Sequence, residues 1–280
     1  MAWHARLALQ YERQGAADAP RTVARFLHEG PLRILQSLYP EGDATCHNVL
    51  VHPPSGLVAG DRLDITIEAA SGTHGVITTP GAGRFYRSEG ERAAQHVQVR
   101  LAAGSRLEWL PMEAICYNGC NAENRLDLDL SPGAEFIGWD VTALGLPASN
   151  QPFVAGSLRQ HLEVAGGWLE RATIQASDAR LMDGPLGLAG RRCIATLFFA
   201  AGSDIGRDRR EQALALARDV IEAHPLRACA GATAPDHRTV AVRVLSDVVE
   251  PAMELLKAVR SAWRPALWGL APNPPRTWAL

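Results

Sequence analysis

Apolar and polar residues alternate with a period of two in four stretches of this chain. "RLDITIEAA" places Leu63, Ile65 and Ile67 on one side, and "HVQVRLAAG" does the same with Val97, Val99 and Leu101. "RLDLDLSPG" carries Leu126, Leu128 and Leu130, and "QHLEVAGG" carries Leu162 and Val164. Such alternation predicts strands with one face inward and one face polar. Each run closes on a turn containing glycine ("AASGTHG", "AAGS", "SPGA", "AGGW"), and a more apolar run follows ("VITTP", "LEWLPM", "EFIGWDVTAL", "WLERATI"). Taking Ile65, Val99, Leu128 and Leu162 as equivalent points gives spacings of 34, 29 and 34 residues. The expected fold class is therefore mainly β: stacked β-hairpin units, β-solenoid-like, or an irregular sandwich. An ordinary antiparallel sandwich with similar hairpins stays open.

The last third changes period. "RDRREQALALARDVIEA" sets Ala213, Leu214, Ala217, Val220 and Ile221 on one helical stripe, "TVAVRVLS" reads as a strand, and "DVVEPAMELLKAVRSAW" repeats Val249, Ala252, Met253, Leu256 and Val259 at helical spacing. Pro251 fits only a first turn, so this helix is expected to begin between Asp247 and Glu250. "RPALWGLAPNPPRTW" reads as an extended, Pro-rich tail. The expectation is one domain over 1–280, a β-rich body to about 204 closed by a small C-terminal two-helix element and tail from about 205.

Composition narrows the function. The formal net charge is -2 with 21% charged residues, so no basic excess points to nucleic acid and no acidic tract to disorder. No run of ~18 apolar residues predicts a membrane span. No apolar stretch of signal-peptide length opens the chain, and its five cysteines read as reduced thiols in a cytoplasmic protein. Among 28 basic residues only Lys257 is a lysine.

That matters for "ITTPGAGRFYRS", which resembles a phosphate cradle. A P-loop needs Gly-Lys-Ser/Thr, and here Arg84 and Phe85 follow Gly83. The dinucleotide fingerprint needs a third glycine where Tyr86 stands, and then a helix, whereas "SEGERAAQHVQVRL" predicts a turn and a strand. The loop reads as a glycine turn with Phe85 and Tyr86 packed on the body. Cys46 and His47 are adjacent, with His52 nearby, and suit a borderline metal or a buried structural pair; Cys-x-x-Cys knuckles are absent. No Gly-x-Ser-x-Gly elbow is present. Glu108, Glu113 and Asp140 could supply paired carboxylates for glycoside cleavage. The residues alone thus describe a β-rich cytosolic protein without a demonstrable active site.

Several strings in order carry a resemblance: "GPLRILQSLYPEG" (30–42), "CHNVLVHPPSGLVAGD" (46–61), "ITTPGAGRFYRSEG" (77–90), "LEWLPMEAI" (107–115), "GWDVTALGLPAS" (138–149), "WLER" (168–171) and the closing "PPRTW" (274–278). Together they resemble the urease accessory protein UreD family, called UreH in some bacteria. Met112 departs from the glutamine common there, and "APNPPRTW" from the shorter basic ending of relatives. The resemblance implies a β-rich fold with a small helical element and a job without catalysis. Proteins of this family assemble with a helical UreF-type scaffold protein and a nickel-binding UreG-type GTPase, dock on apo-urease and help to deliver nickel. The GTP belongs to the partner. A hydrated internal passage for nickel has been proposed in the family. No tightly bound cofactor is implied, only nickel in transit.

A cation in transit needs releasable ligands, so carboxylates, carbonyls and waters suit it better than a thiolate cage. Asp61, Glu113, Asp140 and Glu170 are acids inside the family-like strings and candidates for the passage. Each also reads as a turn or rim carboxylate or an arginine's partner, the first reading for Asp61 and Glu113. Cys46 and His47 are candidates for a transient nickel site, and Thr78 and Thr79 for lining the passage. Arg84, Phe85, Tyr86, Arg87, Arg276 and Trp278 suit interface anchoring or internal packing. Two rivals remain: a nickel-storing protein acting alone, and a β-solenoid hydrolase.

Overall fold

A computed structural model describes residues 2–16 and 19–279. In chain order the strands are β1 (His4–Gln14), β2 (Arg21–Glu29), β3 (Arg33–Leu38), β4 (Thr45–Val51), β5 (Arg62–Ala69), β6 (His74–Thr78), β7 (Gly83–Phe85), β8 (Ala93–Leu101), β9 (Arg106–Leu110), β10 (Ala114–Cys116), β11 (Cys120–Leu130), β12 (Glu135–Leu146), β13 (Gln151–Pro152), β14 (Gly156–Val164) and β15 (Leu169–Gln175). A short helix α1 (Ala179–Asp183), β16 (Cys193–Ala201), α2 (Arg207–Glu222), β17 (Ala230–Thr233), β18 (Thr239–Ser246) and α3 (Val249–Trp263) complete the chain.

The strands form a seven-stranded sheet in the order β15-β14-β11-β8-β5-β1-β2 and an eleven-stranded sheet whose main path is β17-β18-β16-β12-β9-β6-β4-β3. The repeat is solenoid-like. Each unit sends one strand into the first sheet (β5, β8, β11) and, after a tight turn, the next into the second (β6, β9, β12). The two strands of a unit do not pair with each other; each bonds in parallel to its counterparts in neighbouring units. The turns stack too: Ala102 N–H donates to Ala69 O and Ser131 N–H to Leu101 O. Gly72, Gly104 and Gly133 hold the same left-handed position in these turns, with φ of 69°, 70° and 78°. That position explains the recurrent turn glycine, since a Cβ disfavours positive φ. The fourth expected unit departs from the repeat, because β15 turns back and pairs antiparallel with β14 in the seven-stranded sheet instead of entering the second one.

The register differs from the equivalent points expected. Ile65 pairs with Val97, Val97 with Leu126 and Leu126 with Leu162. Val99 and Leu128 belong to the next position, beside Ile67 and Val164. A two-residue slip keeps the same face inward, so alternation alone cannot detect it.

Two cores result. One lies between the sheets and includes Leu7, Ile65, Val97, Leu126 and Leu162. The other lies between the larger sheet and the helices and includes Trp139, Leu197, Val242, Leu256 and Trp263. Being covered on both faces, β12, β16 and β18 are apolar nearly throughout. Pro251 sits in the first turn of α3 as expected. The segment after it does not: Arg264–Trp268 continues as a π-helical turn, ended by Gly269 at φ 65°. Beyond that point the tail is free of helix and strand only over 270–275, and Arg276–Ala279 forms a 3₁₀ turn. Among the described residues no helix is long and apolar enough to cross a membrane.

Candidate functional site

Along β12 the side chains alternate between the cores. Ile137, Trp139 and Val141 face the helices, and Phe136 faces the opposite sheet. Asp140 shares the phase of Phe136, so this buried carboxylate enters the space between the sheets. Its Oδ1 accepts from Gln160 Nε2 of β14 at 2.5 Å and from Thr142 Oγ1 at 3.1 Å; its Oδ2 accepts from Asn124 Nδ2 of β11 at 2.5 Å. Gln95 Nε2 of β8 donates to Asn124 Oδ1 at 3.1 Å, which extends the polar line across three units. Burial pushes the Asp140 carboxyl up to about 6; Glu170 pushes the same way, while the hydrogen bonds from Thr142, Gln160 and Asn124 pull back. Asn124 and Gln160 were missed by sequence reasoning. Both break the apolar phase of their strands, Asn124 between Ala122 and Leu126 and Gln160 between Leu158 and Leu162, and that was the available signal.

Asp140, Asn124, Gln95, Glu113 and Thr79 line a cavity of about 60 Å³. That is room for a few ordered waters. A second cavity of about 250 Å³ shares Thr79, Gly83, Leu57 and Gln95 with it and reaches His52, Ser55 and Arg84. Glu113 also lines a third cavity, of about 140 Å³, with Cys193, Asp247 and Glu250. The Glu113 Oε2 is buried without a hydrogen-bond partner among the described residues. The Asp140 cavity thus shares lining residues with two neighbours, Thr79 and Gly83 with one and Glu113 with the other.

The remaining candidates lie elsewhere. Glu170, on β15, accepts from Arg243 Nε at 3.0 Å and from Arg243 Nη2. Both carboxylate oxygens of Asp61 accept backbone N–H groups, from Trp3 at 3.1 Å and Val58 at 3.0 Å. Cys46 lies in the inter-sheet core, with Sγ 3.6 Å from Asn48 Oδ1, and burial pushes its thiol up. His47 points the other way and meets Glu41 Oε1 at 2.8 Å. The two are neighbours on a strand and do not converge on one ligand. Thr78 Oγ1 accepts from Trp278 Nε1 at 3.3 Å, whereas Thr79 faces the cavities.

A buried ionic network on the helix side of the larger sheet was not anticipated. Glu108 Oε2 accepts from Arg260 Nε at 2.7 Å, and its Oε1 is 3.2 Å from Arg264 Nε. Arg264 Nη2 donates to Glu41 Oε2 at 2.8 Å. His74 Nε2 lies 3.3 Å from Glu108 Oε1, within ion-pair reach but outside hydrogen-bond geometry. Burial pushes the Glu108 carboxyl up, but His74 and the two guanidiniums outweigh it and hold it at about 2. Burial drives His74 below its ordinary value and keeps the ring neutral. The signal was an arginine on the apolar stripe of α3, one turn beyond Leu256. Glu108 and Asp140 therefore face opposite sides of the sheet, and the Asp140 cavity is too small for a sugar ring. Neither arrangement is the open carboxylate groove a glycosidase needs.

The family model described as UreD urease accessory protein matches residues 4–279. The chain belongs to the UreD family. It is 65% identical over 280 residues to the urease accessory protein UreD of Paracidovorax citrulli (strain AAC00-1) and 63% identical over 279 residues to that of Variovorax paradoxus (strain S110), with both chains covered completely in each case. To the UreD of Methylibium petroleiphilum (strain ATCC BAA-1232 / LMG 22953 / PM1) it is 45% identical over 294 residues, covering 99% of both. As a UreD urease accessory protein it has a role in urease maturation.

Within this UreD chain, three of the suggested interface residues pack internally. Phe85 is buried in the inter-sheet core. Trp278 stacks on Trp139 with centroids 5.3 Å apart, while Lys257 Nζ and Arg260 Cζ lie 4.9 and 5.3 Å from its ring centre. Tyr86 is half-buried against Tyr117, at 4.8 Å between centroids. Arg84 is half-buried; Arg87, paired with Glu89 at 3.2 Å, and Arg276 are exposed.

Proposed function

We propose that this UreD-family protein is a non-catalytic nickel-delivery factor. It works in the cytoplasm with a UreF-type scaffold and a UreG-type GTPase, docks on apo-urease and passes nickel through its interior. The observation that carries this is Asp140: a carboxylate deep between two sheets, held by two amides and a hydroxyl, on a cavity that shares Thr79 with one neighbouring cavity and Glu113 with another. Oxygen ligands with water access can take up and release a hydrated divalent cation, whereas a closed thiolate set would retain it. With a carboxyl titrating at about 6, Asp140 is mostly ionised at neutral pH and able to ligate. Glu170 raises the negative potential there from the sheet edge.

The test is reconstitution with both accessory partners and apo-urease at limiting nickel. Asp140→Ala and Glu113→Ala are expected to co-purify with the partners yet activate urease several-fold less, and Glu170→Ala to act in the same direction more weakly. Full activation by all three variants would overturn the passage. Failure of the unaltered chain to co-purify with the partners would overturn the assembly role.

A further inference from the structure

We propose that the open edge of the seven-stranded sheet, at β15, docks an extended acidic segment of a protein partner by strand addition. The backbone of β15 sets the geometry. Val164 N–H donates to Trp168 O at 2.8 Å and Ala176 N–H to Gly156 O at 3.0 Å, and the antiparallel register between those two bonds is unbroken. Bonded and non-bonded pairs alternate in such a ladder, so Glu170, Ala172 and Ile174 are the residues that bond to β14. Leu169, Arg171 and Thr173 fall between them, and their N–H and C=O groups point away from β14. Because β15 is the last strand of its sheet, these groups meet no partner among the described residues.

The same three residues send their side chains to the outer face, alternating with Ile174, which lies in the inter-sheet core. Leu169 stands opposite Glu163, Arg171 opposite His161 and Thr173 opposite Arg159. The carboxylates nearby already have cations. Glu123 lies 3.2 Å from His96 Nε2 and 3.5 Å from Arg92 Nη1, Asp127 accepts from Arg125 Nε at 2.6 Å, and Glu163 Oε2 lies 2.8 Å from His161 Nε2. Arg159 and Arg171 have neither an ion pair nor a hydrogen bond among the described residues. Both line an outer groove of about 430 Å³. The chain as a whole has a formal net charge of -2, so this positive surplus is local. Its complement is a strand with one acid facing Arg171 and a second two residues away, facing Thr173, whose short side chain leaves the way open to Arg159. On the other side of the first acid an apolar residue would cover Leu169, which is 49% exposed. No proline, glycine or bulge blunts β15. Its arginine repels basic strands, and a second copy of itself, while admitting an acidic one.

The experiment is fluorescence anisotropy of the fluorescein-labelled peptide Thr-Val-Thr-Glu-Thr-Glu-Thr and of its reversed sequence, which cover both strand directions, titrated with the full chain. One of them should bind, and its counterpart with glutamine for glutamate should bind about tenfold more weakly or worse. Arg159→Gln and Arg171→Gln, both on exposed side chains, should each weaken binding several-fold. Thr173→Pro removes an outward N–H without taking a bond from β14, so it should weaken binding at least as much while the urea midpoint stays near that of the unaltered chain. In the unaltered chain, hydrogen exchange should slow at the Leu169, Arg171 and Thr173 amides when the peptide binds, an effect that charge attraction alone would not produce. No binding of either acidic peptide, equal binding of the glutamine counterpart, or no slowing at those amides would each overturn the proposal. Displacement by an equal concentration of inorganic phosphate would also overturn it, by showing a small-anion site instead.

Discussion

Gln160 Nε2 donates to Asp140 Oδ1 at 2.5 Å, and that bond ties one sheet to the other through the middle of the molecule. The acceptor is a carboxylate whose ordinary value of 3.8 is raised to about 6. Between those values the folded chain keeps a proton that the unfolded chain has released. Stability attributable to Asp140 therefore falls as pH rises from about 4 to about 6, by at most about 3 kcal/mol. Asp140→Asn lacks this titration. Whatever its constant offset, its stability relative to the unaltered chain should climb across that window, as read from urea unfolding at a series of pH values. Parallel curves would show that the carboxyl is not perturbed.

The same residue shows how far the sequence could be read. An acid inside the apolar run "GWDVTAL" stands out, and the run is buried on both faces because helices cover its other side. Its amide partners are 16 and 20 residues away in sequence and look like ordinary polar positions until the strand phase is tracked. The β class and the stacked repeat followed from alternation and turn glycines. The register did not, because a slip from Val97 to Val99 preserves the inward face. The Glu108 network was hidden for another reason: its partners are 152 residues apart, and only folding brings α3 onto β9.

That network makes the second prediction. Glu108 is held at about 2 against an ordinary 4.5, so the stability it contributes is present above about 4.5 and is lost as pH falls towards 2. His74, kept neutral by burial, adds a loss in the same direction once it is forced to protonate. Glu108→Gln should cost about 3–5 kcal/mol at pH 7, because Arg260 and Arg264 stay buried with less compensation. The cost should shrink as the pH approaches 2. Urea unfolding at pH 7 and pH 3 measures both.

Gly75 supplies a packing prediction. A Cβ there would lie 2.5 Å from Tyr11 Cε2 and Cζ and 3.0 Å from a Leu107 methyl. Tyr11 cannot easily retreat, since it is fully buried and its hydroxyl donates to Asn48 Oδ1 at 2.9 Å. Gly75→Ala should destabilise the chain by about 1–3 kcal/mol through overpacking, with a matching drop in the urea midpoint and no change in its slope.

Gly83 behaves in the opposite way. It shares the strand phase of Phe85 and lines both the Asp140 cavity and its neighbour. A Cβ would meet nothing within 4 Å, and its backbone lies outside the left-handed region. Neither conformation nor packing demands glycine at this exposed position. Gly83→Ala should leave stability within about 0.5 kcal/mol. Gly83→Leu should fold equally well but narrow the junction between the two cavities. In reconstituted urease activation at limiting nickel, Gly83→Ala should behave as the unaltered chain, and Gly83→Leu should slow activation while still co-purifying with the accessory partners. Equal activation by both variants, with Gly83→Leu stably folded, would mean that cargo does not pass this junction.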